Sequence, residues 1–415
     1  MLPTLAALLL MADPVNRACP PDVAVARSAE SLKLLLASDA PDVWVAGRVT
    51  GDFQASRNLA LHGCEGAVLE GTGRGTVLRL KGDDLLVEDL VFEKSGIRVS
   101  SEDGALKLSG ERAVVRRVAV RDTLYGIAFE QCHACRLEDA SIEGRVEIEG
   151  NQRGDGVKFW EAHGSSMRRN VVRNVRDVVV WYSRHVTLED NNITGGRYGS
   201  HFMYAHDSTV RRSVLRGNTV GVFVMYSARV LVEDNEISGA RGPAGMGIGF
   251  KESDAVTLNR NHLVANTLGA YLDFTPRDPR QPVTFEGNTI ALNGVAVRTH
   301  SSERGARFLR NDFLDNDALI EVDGNGDARQ VEFSGNHWAT YAGYDLDQDG
   351  VGDVAFQLKQ ASSDLRDAHA TLRFFQGTAA MALYDAVANA VPYFGSRLIM
   401  EDPSPAMKPH QEVRP

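Results

Sequence analysis

The sequence predicts an all-β fold, a right-handed parallel β-helix (solenoid) of roughly 11–12 coils, with an N-terminal capping helix and a C-terminal helical segment. Three observations predict this fold. A polar residue, usually Asn, recurs every 21 to 27 residues, and a glycine recurs about 14 residues before it. The stretches between these markers alternate apolar and polar residues with a period of two, and they lack helical periodicity.

The recurring polar residue predicts a ladder of side-chain amides. A single coil cannot bury its apolar face alone, so coils stack, and amides at equivalent turns hydrogen-bond from one coil to the next. Leucine-rich repeats share the period, but they require a regular Leu-x-x-Leu-x-Leu pattern that is missing here. The predicted ladder is Asn170, Asn191, Ser213, Asn235, Asn261, Asn288, Asn311 and Asn336, and the marker glycines are Gly156, Gly199, Gly221 and Gly247.

The chain is predicted to contain five segments. Its apolar start suits a signal peptide cleaved after Ala12, although no positive charge precedes it; a frayed apolar segment is the alternative. Helices over Ser28–Ser38 and Leu372–Ala390 would cover the open ends of the β-helix, and the second could instead dock a partner. The segments are residues 1–12 (signal peptide), 13–45 (N-terminal segment and capping helix), 46–340 (β-helix), 341–356 (acidic, calcium-like loop) and 357–415 (C-terminal helical extension).

Composition excludes several classes of protein. The chain has 415 residues, and its 45 Lys+Arg against 55 Asp+Glu give a net charge of −10. Since no basic run could follow a phosphate backbone, nucleic acid is not expected as a partner. No apolar run reaches the roughly 20 residues of a membrane-spanning helix, so we expect a soluble or peripherally attached protein. A hydrophobic content of 43% excludes wholesale disorder.

The alternation within strands places an unusual set of side chains on the outer surface. Residues one and three after each marker glycine are apolar and face inward, so residues two and four face outward. Exposed thioethers near an imidazole are soft ligands that favour Cu(I). The sequence therefore predicts a copper site, with an apolar docking patch or a loop-covered surface as the alternative. The copper candidates are His201, Met203, Met225, Met246 and His206.

Histidines and cysteines provide weaker copper candidates. His133, His163 and His206 lie seven residues before the ladder column, and His185 lies six residues before it. Stacked histidines could hold a metal, but polar turn residues also stack for structural reasons, which is the interpretation we favour. The weaker candidates are Cys132, His133, Cys135, His163 and His185.

The four cysteines allow one or two disulfides in an oxidising compartment. Cys132 and Cys135 are too isolated for a structural zinc site, so a disulfide, a buried thiol pair and a copper-transfer site all stay open. Cys19 and Cys64 could tie the N-terminal segment to the first coils.

An acidic loop predicts calcium. Three alternating Asp residues, a Gly at position six and an Asp at position nine match the first part of an EF-hand loop. Position twelve is Phe356, so the bidentate Glu is missing. We expect a structural calcium site, with a solvated acidic turn as the alternative. The candidate ligands are Asp345, Asp347, Asp349, Val351 and Asp353.

Several segments together resemble the NosD family. They are Gly154–Trp160, Arg197–Tyr204, Val220–Ser227, Tyr341–Asp345 with its acidic loop, and the tail from Phe374–Phe375 to Asp402–Pro403. The resemblance covers nearly the whole chain from about residue 28. It implies a periplasmic β-helix protein that is not an enzyme and acts with the permease and ATPase of an ABC transporter, through which it would be peripheral to the membrane. It further implies that the protein takes copper from a periplasmic donor and serves the maturation of the copper cluster of nitrous oxide reductase.

Two other functions are compatible with this fold. Many right-handed β-helices are polysaccharide lyases or epimerases that act on acidic sugars, but here only Asp155, Lys158 and His163 form a candidate acid–base set. A calcium-stabilised surface or adhesion protein is the third class, which attachment to the cell surface without metal–thioether chemistry would distinguish.

Overall fold

A computed structural model describes residues 17–300, 303–323, 326–360, 362, 365, 369–375, 378–390 and 397–411. The chain forms two compact units, residues 1–214 and residues 215–415. Both are built from parallel strands, and the chain is a right-handed parallel β-helix of about 13 turns, which confirms the predicted fold class. There are slightly more turns than predicted, because parallel pairing already begins at Val25–Ala26, upstream of the predicted start. The predicted signal peptide lies outside the described residues.

The strands are short, as the period of two within each repeat predicts. In the first unit they are β1 (Val25–Ala26), β2 (Asp42–Thr50), β3 (Phe53–Ser56), β4 (Ala60–Glu70), β5 (Leu78–Lys81), β6 (Leu86–Glu88), β7 (Val91–Glu93), β8 (Gly104–Glu111), β9 (Val114–Arg116), β10 (Ala119–Thr123), β11 (Tyr125–His133), β12 (Arg136–Glu138), β13 (Ser141–Gly144), β14 (Val157–Trp160), β15 (Ser166–Arg168), β16 (Val171–Arg173), β17 (Asp177–Trp181), β18 (Thr187–Glu189), β19 (Asn192–Thr194), β20 (Tyr198–Met203) and β21 (Thr209–Arg211).

From the unit boundary onward the strands are β22 (Val214–Arg216), β23 (Val220–Met225), β24 (Leu231–Glu233), β25 (Glu236–Ser238), β26 (Met246–Lys251), β27 (Thr257–Asn259), β28 (His262–Val264), β29 (Leu268–Asp273), β30 (Val283–Glu286), β31 (Thr289–Ala291), β32 (Val295–Thr299), β33 (Ala306–Leu309), β34 (Asp312–Leu314), β35 (Ala318–Val322), β36 (Glu332–Ser334), β37 (His337–Trp338), β38 (Phe356–Gln360) and β39 (Arg397–Asp402). The helices of the described residues are α1 (Ala29–Ala37), a 3-10 turn (Gly150–Gln152), a 3-10 helix (Ala370–Phe375) and α2 (Ala379–Ala390).

One parallel sheet of the first unit consists of β3, β5, β8, β11, β14, β17 and β20. Its inward side chains stack in register from coil to coil, as Phe129 on Phe159 with ring centroids 5.0 Å apart, and Val180 beside Phe202. All four are completely buried. The alternate residues of the same strands therefore lie on the outer face.

The predicted amide ladder is present at the turns. In the second unit, the side-chain Nδ2 of each ladder Asn donates to the Oδ1 of the next one at 2.9–3.0 Å, from Asn235 to Asn336. In the first unit, Asn170 donates to Asn191 in the same way, at 3.0 Å. The backbone N–H of Asn191 donates to the Oγ of Ser213, so a serine hydroxyl takes the place of the amide oxygen at this rung.

A second ladder, which the sequence reasoning missed, lies five residues after the first. Asn266 donates through Nδ2 to Asn293 at 3.1 Å, and Asn293 donates to Asn316 at 2.9 Å. Its spacings of 27 and 23 residues repeat those of Asn261, Asn288 and Asn311, so the sequence carried the signal. The interior thus has amide hydrogen bonds at two adjacent turns.

The residues just before the ladder positions from Asn170 to Asn261 alternate in charge along the chain. Asp139 and Arg169 pair at 2.7 Å, and in the second unit Asp234 and Arg260 pair at 2.8 Å. All four have a left-handed backbone with φ between 52° and 56°. Each turn needs this strained conformation, and the exposed ion pairs offset only a small part of its cost.

The N-terminal cap is the predicted amphipathic helix. Ser28 caps α1, its Oγ accepting the backbone N–H of Ser31, and Leu32 and Leu36 are buried beneath the helix. A disulfide between Cys19 and Cys64 ties the preceding segment to β4. The helix therefore covers the first coil as expected.

The C-terminal extension is only partly helical, which differs from the prediction. After α2 the chain returns as β39, antiparallel to β38, and Gln360 pairs with Arg397. The carboxylate of Asp402, which is completely buried, then accepts hydrogen bonds from the backbone and side chain of Asn336. The last rung of the ladder is thus closed by a strand rather than by a helix. Within the described residues, no helix is both long and apolar enough to span a membrane.

Candidate functional site

The outer face of the first unit carries indole, imidazole and thioether groups side by side. In the parallel sheet, Trp160 pairs in register with Trp181, and Trp181 pairs with Met203. His201 lies two residues before Met203 on the same face, while Phe202 between them is completely buried. The predicted alternation is therefore correct for β20, and it places two soft donors next to an indole.

His201 is buried, whereas the sequence predicted that it would be exposed. Only 5% of the residue is accessible, because the rings of Tyr198 and Trp181 pack against the imidazole at centroid distances of 4.7 and 5.7 Å. The Nε1–H of Trp181 donates a hydrogen bond to the Nδ1 of His201 at 3.4 Å. Burial lowers the pKa of His201 to about 4, although the negative charge of Asp177 acts to raise it. The ring is therefore neutral at neutral pH.

Met203 and two tyrosines form the accessible part of this face. Met203 is half-buried, and Tyr182 and Tyr204 are 47% and 42% exposed. Their rings stack with centroids 5.1 Å apart. Both tyrosines have a left-handed φ of 50°, which is uncommon for a bulky residue. Such conformations are found where the surrounding structure imposes them, and here they place an aromatic stack beside the thioether.

The second unit carries its own thioethers. Met225 on β23 and Met246 on β26 are half-buried, and Phe223 pairs in register with Gly249. A Cβ at Gly249 would lie 2.6 Å from the Phe223 ring and 3.1 Å from the Sδ of Met246. The missing side chain therefore leaves room for a ring and a thioether on the outer face of this sheet.

The histidine column is partly formed. The rings of His133 and His163 stack nearly parallel, with centroids 5.0 Å apart. In the next coil, however, the residue that forms a parallel β-bridge with His206 is Arg184, not His185. The Nδ1 of His163 accepts the backbone N–H of Arg184, and burial followed by the charge of His133 lowers the pKa of His163. Because the lone pairs of parallel rings do not converge, this pair is a poor copper chelate in the arrangement observed.

Cys132 and Cys135, which the sequence left open as copper ligands, cannot bind a metal because they are bonded to each other. Cys132 and Cys135 form a disulfide, and both residues are completely buried. They are thus not the thiolate copper ligands that the sequence left open, since a ligating thiolate must be free. The four cysteines pair as two disulfides, consistent with an oxidising compartment.

The acidic loop brings three carboxylates together. Oxygens of Asp345, Asp347 and Asp349 lie within 4.8 Å of one another. The backbone N–H groups of Gln348 and Gly350 donate to Asp345 at 2.7 and 2.9 Å, as in a loop folded around its own side chains. The other two candidates differ, since Asp353 accepts from the Leu346 backbone and Val351 donates to Asp349. Calcium binding here stays a prediction.

Two of the three residues considered as an acid–base set for an enzyme, Asp155 and Lys158, are held in ion pairs. Lys158 is bound by both oxygens of Glu102 at 2.9 and 2.8 Å, and Arg176 binds Asp155 at 2.7 Å. Burial raises the pKa of Asp155 to about 6 despite the charge of Arg176. The cavity beside them has a volume of about 10 Å³, the minimum for a single water molecule. His163 does not line this cavity.

Comparisons with known proteins agree with the fold and with a copper-binding family. A family model described as "Periplasmic copper-binding protein (NosD)" matches residues 138–343. Relatives named "Probable ABC transporter binding protein NosD" include one from Pseudomonas aeruginosa that is 27% identical in an alignment 448 positions long, which covers 95% of this chain and 95% of that protein. Another, from Stutzerimonas stutzeri, is 24% identical in an alignment 416 positions long, which covers 88% of this chain and 86% of that protein.

Solved structures with this fold include a carbohydrate-active enzyme. The A-module of the mannuronan C-5 epimerase AlgE6 from Azotobacter vinelandii superimposes with a TM-score of 0.53 at 15% identity, covering 75% of this chain and 95% of that module. Identity this low shows a shared β-helix fold, and function has to be argued from the site.

Proposed function

We propose, from the premise that this chain belongs to the NosD family, that it is a periplasmic accessory protein that handles copper together with an ABC transporter. It would accept copper from a periplasmic donor and deliver it, with the permease and ATPase, for maturation of the copper cluster of nitrous oxide reductase. Copper is thus cargo, and the protein is not an enzyme.

The observation that carries this proposal is the half-exposed thioether of Met203 beside the imidazole of His201. Thioether and neutral imidazole are ligands that favour Cu(I) over hard cations. Folding by itself does not require a thioether at the half-buried position of Met203 on the outer face.

Anaerobic titration with Cu(I) against a competing chelator tests the proposal. Wild-type protein is expected to bind one Cu(I) in the first unit, and Met203→Ala is expected to weaken binding at least tenfold, because loss of a soft ligand removes more than about 1.4 kcal/mol. Met167→Ala is the matched control, since that methionine is completely buried inside the first unit. Equal affinity in wild type and Met203→Ala, or no binding by either, would count against copper handling on this face.

The proposed partner surface is the exposed side of α2 and the 3-10 helix before it. Phe374 is 87% exposed, Leu383 65% and Val387 46%. Apolar side chains exposed to this degree on two consecutive helices are typical of a protein-docking surface. The names of the relatives support an ABC transporter as the partner, and we propose that this surface docks on its membrane permease.

A deletion can separate this surface from the cap of the β-helix. Truncation after residue 365 would remove Asp402 as well, so residues 361–396 are better replaced by Asn-Gly, because Gln360 and Arg397 already pair as a hairpin needs. We expect unchanged thermal unfolding of the coils and loss of co-purification with the permease.

Point variants provide the matched control for the deletion. Leu383→Ser/Val387→Ser should reduce co-purification, whereas Leu34→Ser, which changes a leucine that is 73% exposed on α1, should leave it intact. Full retention of the permease by the deletion variant would place the docking surface elsewhere.

Two other functions have less support. A polysaccharide lyase or epimerase would need a cleft with a free acid and base, whereas Asp155 and Lys158 are engaged in ion pairs beside a cavity of about 10 Å³. The third candidate, a calcium-stabilised adhesion protein, rests on the acidic loop alone.

A further inference from the structure

We infer that Trp181 gates copper binding to His201: its indole N–H occupies the imidazole nitrogen that the metal would take, and moves aside when Cu(I) binds. This rests on the proposed copper-handling function and deepens it, because it names the residue that controls access to the site. All the residues involved belong to the first unit.

The chemistry of the two rings identifies the donor and the acceptor in the hydrogen bond between Trp181 and His201. Indole nitrogen can only donate, so in the Trp181 to His201 hydrogen bond the Nδ1 of His201 must be the acceptor. The neutral imidazole then carries its proton on Nε2. The lone pair on Nδ1, which is the one a metal would use in this tautomer, is therefore shared with the indole hydrogen.

The strand register places Trp181, His201 and Met203 close to one another. Trp181 and Met203 are register neighbours on adjacent strands, so their Cβ atoms lie about 5 Å apart, and His201 and Met203 are two residues apart on one face, about 7 Å. A thioether reaches across such a gap. An ion bound to Met203 would thus lie next to both the indole of Trp181 and the Nδ1 of His201.

Two aromatic rings limit the access of a metal ion to the imidazole of His201. Because Trp181 and Tyr198 cover the imidazole, an ion reaches Nδ1 only after one of these rings moves. Trp181 is half-buried and its hydrogen bond is long, 3.4 Å, so displacing it costs little. In the exchange, the N–H···N hydrogen bond breaks and a Cu–N bond forms, while the indole and the imidazole each keep their proton.

The displaced indole would stay close to the metal. Its face attracts a cation, and Met203 holds the ion within reach of that face. Trp181 therefore acts as a positioning residue: without copper, its hydrogen bond fixes the tautomer of His201 that carries the proton on Nε2, and after copper binds, its ring covers the ion.

The test compares Trp181→Phe with Trp160→Phe in the full chain. Trp160 is the control because it is also a tryptophan and pairs in register with Trp181 on the neighbouring strand β14. With the competing hydrogen bond removed, Trp181→Phe should bind Cu(I) about fivefold more tightly than wild type, as expected for one neutral hydrogen bond, whereas Trp160→Phe should match wild type. Cu(I) should also change the tryptophan emission of wild type and Trp160→Phe, and this change should be absent in Trp181→Phe.

The outcomes distinguish the gate from the function. If wild type binds Cu(I) through Met203 but Trp181→Phe has equal or lower affinity, like its control, the gate is wrong and copper handling stands. If wild type, Trp181→Phe and Trp160→Phe all fail to bind Cu(I), both the gate and the proposed copper site are wrong.

Discussion

Replacing Asn288 by alanine is expected to lower the free energy of unfolding by about 3–5 kcal/mol, among the largest effects of any single substitution in this protein. Asn288 is completely buried in the middle of the ladder. Its Oδ1 accepts the backbone N–H and the Nδ2–H of Asn261, and its Nδ2 donates to the Leu258 carbonyl and to Asn311. Alanine would leave several of these groups buried without a partner, each costing about 1–3 kcal/mol.

The chain itself provides the matched control. At the equivalent rung, Ser213 accepts the backbone N–H of Asn191 through its hydroxyl. Asn288→Ser should therefore recover part of the loss, with a urea midpoint between those of wild type and Asn288→Ala. Circular dichroism during urea unfolding measures all three. If alanine and serine variants both unfold at the wild-type midpoint, the ladder contributes nothing to stability.

The ladder also explains why the fold was predictable from sequence. A polar residue that returns every coil and stays buried must bond to its equivalents, so Asn235, Asn261 and Asn288 reveal both the period and the stacking direction. Alternation within β20 likewise placed Phe202 inside and Met203 outside. Both signals are local in sequence, and each repeats in several coils.

The candidate site was harder to predict because it depends on neighbours distant in sequence. Alternation assigned His201 to the outer face, but the ring is buried by Tyr198 three residues earlier and by Trp181 twenty residues earlier. No period describes which side chain leans over another. Pairing of β38 with β39 was missed for the same reason, since a 36-residue segment separates the strands.

Replacing Asp402 by alanine is expected to open the C-terminal end of the β-helix. The Oδ2 of Asp402 accepts three hydrogen bonds, from the backbone N–H and Nδ2 of Asn336 and from the Nε1 of Trp338, at 3.1, 2.9 and 3.1 Å. All three residues are completely buried. Three buried donors without an acceptor would cost about 3–5 kcal/mol, and the loosened last coil would expose strand edges that associate with other chains.

Asp402→Asn separates the role of the acceptor from that of the charge. One amide oxygen can still accept at the position of Oδ2, while the amide nitrogen would face the backbone N–H of Ser404, which now donates to Oδ1 at 3.1 Å. We expect a loss of about 1–2 kcal/mol for Asp402→Asn, against about 3–5 for Asp402→Ala. Urea midpoints measure the difference in stability, and light scattering at rising protein concentration measures association. Equal midpoints for wild type and Asp402→Ala would mean that the end of the ladder does not need this carboxylate, and that the returning strand β39 covers the last coil by packing alone.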